Sequence, residues 1–103
     1  MQQIFIDRFS MPVEAKEEFF ERVRINRDLI HSLSGFIKDE VYERTDGDTL
    51  HVVTTAFWES AEAIENAKNT VMAEYKRQGF NMQEMFGRLN ITLDRGIFTK
   101  LDL

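Results

Sequence analysis

The stretch Phe57-Trp58-Glu59-Ser60-Ala61-Glu62-Ala63 decides the fold. Ahead of it, residues 49–58 alternate as a strand does: Leu50, Val52 and Ala56 fall on one face, Val53 and Phe57 on the other. Behind it, Ile64, Ala67, Val71 and Tyr75 recur at helical spacing. Ser60 is a residue type that caps a helix, and Glu62 puts negative charge in the first turn, where the helix dipole favours it. Gly79 supplies the stop. A strand therefore turns into a helix within two residues of Trp58.

An earlier unit has the same form. Residues 3–10 read as a strand, with Ile4 and Ile6 on one face and Phe5, Asp7 and Phe9 on the other. Ser10 is the expected N-cap of a first helix, with Pro12 in its first turn, and that helix runs to about Leu33. Its apolar stripe is Ala15, Phe19, Val23, Ile30 and Leu33. Gly35 ends it in a left-handed cap. Residues 36–45 form the second strand, and Asp46-Gly47 is a hairpin turn signal leading into the third. Beyond Gly79, residues 81–86 form one short helical turn. Residues 89–101 form a fourth strand, kinked near Gly96.

The order β-α-β-β-α-β is that of an α+β, ferredoxin-like domain with an antiparallel sheet and helices on one face. A chain of 103 residues makes one such domain, residues 1–103. The other sheet face would ordinarily be polar. Here strands one, three and four are apolar on both faces, so a second copy is expected to pack sheet against sheet as a homodimer, a dimeric α+β barrel.

Composition narrows the partners. With 43% hydrophobic and 30% charged residues the chain is globular. A net charge of −5 argues against a nucleic acid or an anionic membrane, both of which need a basic footprint. Zero cysteines exclude disulfides and thiolate chemistry and suit a reducing compartment. No signal-peptide pattern opens the chain, and no run approaches the roughly 20 apolar residues of a membrane span. The expected location is the cytoplasm. Two histidines and no cysteine make a zinc site improbable. Neither a phosphate-binding glycine loop nor a Gly-x-Ser-x-Gly elbow is present. An RNA-recognition module shares the element order, but residues 49–58 lack its glycine and basic residue.

Ser34-Gly35-Phe36 after the first helix, where the family has Pro-Gly-Phe, and Trp58-Glu59-Ser60 followed by Glu62-Ala63 make the chain resemble the antibiotic biosynthesis monooxygenases, over nearly its whole length. The resemblance implies dimeric α+β barrels. It spans cofactor-free oxygenases of quinol- or anthrone-like aromatics, haem degraders and small domains without assigned roles. Quinol-oxygenase-like members often carry a histidine early in the second helix, and haem degraders a tryptophan in that column. Counted from Trp58, it holds Ala67. The iron-ligating histidine of the haem degraders would fall in Tyr75-Lys76-Arg77, and their strand-one asparagine falls on Asp7. Haem degradation of that type is therefore not expected.

The residues themselves offer three candidates for chemistry. Asn26 sits inside the apolar stripe of the first helix, between Val23 and Ile30, where an unpartnered amide costs about 1–3 kcal/mol. It either bonds a strand backbone or buried water, or points into a pocket and orients a ligand oxygen. Asp7 is either a desolvated carboxylate of raised pKa, able to act as a base, or a strand-end charge paired with an arginine. His51, on the face of Val53 and Phe57, is either a proton acceptor or an exposed, inert histidine; His31 lies off the stripe and is expected in solvent. Trp58 is expected to brace the strand-to-helix corner and Tyr75 to put its hydroxyl at a pocket edge.

Two functions remain open. The resemblance implies a cofactor-independent monooxygenase that takes a small aromatic molecule and O₂, with Asp7 or His51 as base, Asn26 binding the oxyanion, and Phe19, Val23, Trp58 and Tyr75 lining the substrate. The alternative is a non-catalytic dimeric domain that binds a small hydrophobic ligand or a partner, and Ala67 favours it.

Overall fold

Apolar side chains on both faces make β1 the long spine of the sheet, Gln3–Pro12 in the computed structural model, which describes residues 1–103. A single 3₁₀ turn, Val13–Ala15, leads into α1, Lys16–Ile30. The hairpin β2, Phe36–Asp46, and β3, Thr49–Trp58, is followed by α2, Ala61–Gln78, then α3, Met82–Leu89, and β4, Thr92–Phe98. The sheet order is β2-β3-β1-β4, antiparallel throughout. This is the ferredoxin-like architecture that the element order implied, with α3 inserted before the last strand.

Ser60 caps α2 as expected: its hydroxyl accepts from the Ala63 N–H at 3.1 Å. Gly79 closes that helix at φ 69°. Three boundaries differ from the sequence reading. Ser10 is a strand residue, not a cap, because β1 stays paired with β3 as far as Pro12 opposite Thr49. α1 ends at Ile30, and residues 31–35 form the turn into β2, with Leu33 N–H donating back to the Ile30 carbonyl. β4 begins at Thr92 and ends at Phe98, because residues 82–89 form a full two-turn helix capped by the Asn81 side chain.

Strand pleating sends alternate residues to opposite faces. Asp7, Phe9 and Met11 of β1 and Leu50, Val52 and Trp58 of β3 are buried on the helix side. They divide between two clusters. One joins Phe9, Met11, Phe19, Leu50, Val52 and Met85; the other joins Ile30, Trp58, Ile64 and Ala67. Phe9 anchors the first by edge-to-face contacts with Phe19 and Phe86, at 4.8 and 6.0 Å between ring centres. Ile4, Ile6, Val53 and Phe57, on the other face, belong to neither cluster.

Candidate functional site

The two clusters do not meet. Between them, under α1 and α2, lies a cavity of about 410 Å³ lined mostly by hydrophobic side chains. That volume falls in the usual range of small-molecule sites, about 300–1,000 Å³. Phe5, Phe9 and Trp58 rise from the sheet, Phe19 and Val23 come from α1, and Ala67 and Val71 from α2. Trp58 is held by an edge-to-face contact with Phe36, 5.4 Å between centres.

A few polar groups enter this apolar space. Asp7 is 6% exposed. Its two oxygens accept from Arg95 Nε at 2.8 Å and Nη2 at 3.0 Å, a bidentate pair across directly opposed positions of β1 and β4. A carboxylate has about four acceptor sites, so each oxygen can still accept from a ligand. Asn26 donates from Nδ2 to the Tyr75 hydroxyl at 2.9 Å, and this contact ties α1 to α2 at the cavity wall. Arg22, one turn before Asn26, lies 3.5 Å from the centre of the Phe80 ring and 5.1 Å from that of Tyr75.

Asp39 also borders the cavity. It accepts from Arg27 at 2.7 and 3.1 Å and pairs with His31 Nε2 at 2.9 Å. Burial pushes this carboxyl up, but the hydrogen bonds and charges of Arg27 and His31 outweigh burial and hold it below its usual value. A carboxyl whose folded value is depressed stabilises the fold above its unfolded value and loses that contribution as pH falls. Asp39→Asn should therefore cost about 1–2 kcal/mol at neutral pH. In urea titrations the gap from wild type should close as pH drops below about 4. A gap that persists in acid would show that packing, not ionisation, gives Asp39 its value.

The structure brings Asp7, Asn26, Phe19, Val23, Trp58 and Tyr75 to one cavity. Asp7 takes something from each reading: it is buried in mid-strand rather than at a strand end, and it is paired with an arginine. Asn26 bonds a cavity-wall hydroxyl rather than strand backbone. His51 stands apart and is corrected as a member of this site. It lies on the opposite sheet face, where its Nδ1 meets Ser10 Oγ at 3.0 Å. His31 is exposed, as expected, and its Nε2 meets Asp39 Oδ1 at 2.9 Å. No histidine lines the cavity, so a haem there would find no imidazole ligand. Sequence reasoning missed Arg95 and Arg22. Arg95 had a signal, since the assigned topology sets β4 beside β1 and opposite charges favour direct opposition.

The antibiotic biosynthesis monooxygenase family matches residues 4–77. The chain belongs to that family. Among curated proteins none matches significantly. Solved structures do. Rv0793 from Mycobacterium tuberculosis superposes with a TM-score of 0.75 at 17% identity, covering 100% of this chain and 98% of that one. SnoaB, a cofactor-independent oxygenase from Streptomyces nogalater, gives 0.68 at 19% identity, covering 99% and 95%. A mutant of MhuD with two manganese protoporphyrin IX per active site gives 0.70 at 20% identity, covering 98% and 97%. At such identities the likeness establishes the fold.

Proposed function

We propose that this chain is a cofactor-independent monooxygenase of a small quinol- or anthrone-like aromatic, working as a homodimer. What carries the reading is one apolar cavity in which a buried carboxylate, an amide–hydroxyl pair and an aromatic wall converge: Asp7, Asn26 with Tyr75, and Trp58. The family membership and the likeness to an oxygenase that needs no cofactor support it. Asp7 takes a proton from the substrate ring, and Asn26 and Tyr75 hydrogen-bond the resulting oxyanion. The electron-rich anion reduces O₂. On an anthrone-type methylene, one oxygen atom stays on the carbon as a carbonyl and the other leaves as water with that carbon's two hydrogens. On a quinol, one oxygen atom enters a ring C–H as a hydroxyl and the other leaves as water with the two hydroxyl hydrogens, the ring being oxidised to the quinone. The apolar walls keep bulk water from the peroxide intermediate.

Oxygen uptake by the purified protein with a panel of quinols and anthrones, and no added cofactor, tests this. Saturable uptake is expected, and Asn26→Ala should lower kcat about 100-fold while lowering stability by only about 1 kcal/mol, the worth of its bond to Tyr75. If Asn26→Ala unfolds the protein instead, the amide serves the fold and not an oxyanion.

The second reading, a non-catalytic ligand-binding domain, is favoured by two features. Ala67 stands where a histidine base would be, and Arg95 occupies Asp7. No uptake across the panel, with the same compounds binding in the cavity, would select it.

The homodimer rests on the outer sheet face, where Tyr42 is 54% and Phe98 49% exposed beside Ile4, Ile6 and Phe57. A second sheet covering it should bury at least about 1,200 Å² in total. Sedimentation should give a dimer at micromolar concentration, and a stable monomer there would end the two-sheet argument. No helix is long and apolar enough to cross a membrane; the cytoplasmic location we propose rests on a composition without cysteine.

A further inference from the structure

The charges around the cavity do not cancel. Asp7 is matched by Arg95, and Asp39 by Arg27. Two cations that line the same space, Arg22 and Lys68, have no carboxylate partner within it. Lys68 reaches Glu65 on the outer side of α2 at 4.0 Å, with both side chains half exposed. Arg22 has no carboxylate in contact at all. Its Nη2 donates to the Gln78 side-chain oxygen at 3.1 Å, and Gln78 in turn donates to Glu74, a carboxylate already bound by Arg77. Its Nε is shut off from water and bonds nothing. In a chain of net charge −5, an uncompensated guanidinium against an apolar cavity is a local reversal of sign.

The guanidinium is also held in place. The guanidinium carbon lies 3.5 Å from the centre of the Phe80 ring, a cation–π contact, and Phe80 packs edge-to-face on Tyr75 at 5.1 Å. Tyr75 accepts from Asn26, so its own O–H is free to donate, and Asn26 keeps a second N–H. Arg22 and Asn26 are four residues apart on α1 and project from one helix face. Three donors of one polar corner are thus without an acceptor of negative charge.

We infer that the corner of Arg22, Asn26 and Tyr75 is a subsite for an anionic oxygen, and that the cavity takes an aromatic acid, a ring system bearing a carboxylate. The inference deepens the proposed function by naming the substrate class, and it rests on that reading only for the chemistry that follows binding. The rings occupy the apolar space between Trp58 and Phe19, and the carboxylate meets Arg22. Planar fork geometry makes arginine the side chain suited to a carboxylate.

The test compares 2-naphthoate with the neutral 2-naphthamide, nearly equal in shape, by titration calorimetry at neutral pH and low salt. Naphthoate should bind about tenfold more tightly or better, the worth of one charge-assisted contact out of water. Arg22→Met keeps the stem over Phe80 and should abolish the preference while leaving naphthamide affinity unchanged. Arg22→Lys keeps the charge without the fork and should retain part of it. Lys68→Gln should leave the preference in place, which separates this corner from general positive charge. Equal affinity of the two compounds, failure of both to bind, or loss of the preference in Lys68→Gln but not in Arg22→Met would overturn the inference. The comparison of two ligands on unaltered protein stands even if a variant fails to fold. A naphthoate preference without oxygen uptake on any aromatic acid would keep the subsite and remove the oxygenase. Uptake with equal affinities would keep the oxygenase and remove the subsite.

Discussion

Gly35→Ala is expected to cost the fold about 3–5 kcal/mol, read as a lower urea midpoint, because it combines backbone strain with a steric overlap that has nowhere to go. Gly35 sits at φ 85°, in the left-handed region that L side chains rarely adopt. An added Cβ would lie 2.4 Å from the Ala63 Cβ. Ala63 is on the first turn of α2, and its N–H is the donor that the Ser60 cap satisfies. On the other side, the Gly35 carbonyl accepts from Glu59 N–H at 2.8 Å, which fixes the turn against the strand-to-helix corner. Relieving the overlap means lifting α2 off that corner or breaking this bond. Gly79→Ala is the natural control. It has φ 69° but open space around the added atom, so strain alone should cost about 1–2 kcal/mol. Ala63→Gly should cost about 1 kcal/mol alone yet recover part of the loss when combined with Gly35→Ala. Equal losses at Gly35 and Gly79 would mean that the corner yields to the added methyl group and strain alone sets the cost.

The same corner explains how much could be read in advance. The switch at Trp58-Glu59-Ser60 is legible because it is local: strand periodicity, a capping hydroxyl and helical periodicity lie within one short window. The Asp46-Gly47 hairpin is legible for the same reason, and Gly47 does take a positive φ of 59°. The end of β1 was not. Ser10 and Pro12 match the chemistry of a helix start, but pairing with β3 is a tertiary fact, and it holds the chain extended to Pro12. Residues 81–86 read as one short turn, whereas the helix runs Met82–Leu89. In the structure Gly87 lies inside the helix, and the burial of Met85, 1% exposed, outweighs the propensity cost of the glycine. The site divides in the same way. Asn26 is conspicuous as an amide in an apolar stripe, and Tyr75 follows from its own helix face. Their contact, and the place of Arg22 above Phe80, depend on how α1 crosses α2, which no periodicity records. His51 was assigned to the correct strand face. What the sequence could not say was that the cavity opens on the other one.

Arg95→Met is expected to be nearly as damaging as the glycine change, and far more so than the complementary Asp7→Asn. The reason is an asymmetry in burial. Asp7 has a side chain 9% exposed, whereas that of Arg95 is 42% exposed. Methionine keeps much of the length of arginine and can still cover Phe5, over which the guanidinium lies at 4.9 Å. What it removes is the charge, leaving a carboxylate among Phe5 and Phe9 with no counterion. Stranding one partner of a buried pair costs about 3–5 kcal/mol. Asp7→Asn leaves Arg95 free to turn its head to water, and the amide can still accept one hydrogen bond, so the loss should be about 1–2 kcal/mol. The double variant should lose well less than the sum of the two, with a coupling of about 2–3 kcal/mol. Additive losses would instead place the pair with exposed ion pairs, whose worth is about 0–1 kcal/mol. Because Asp7→Asn is the mild change for stability, it is also the clean probe of chemistry. If Asp7 is the base, that variant stays folded and stops consuming oxygen. If the Arg95 pair is only a strut between β1 and β4, Asp7→Asn keeps whatever turnover the wild type has.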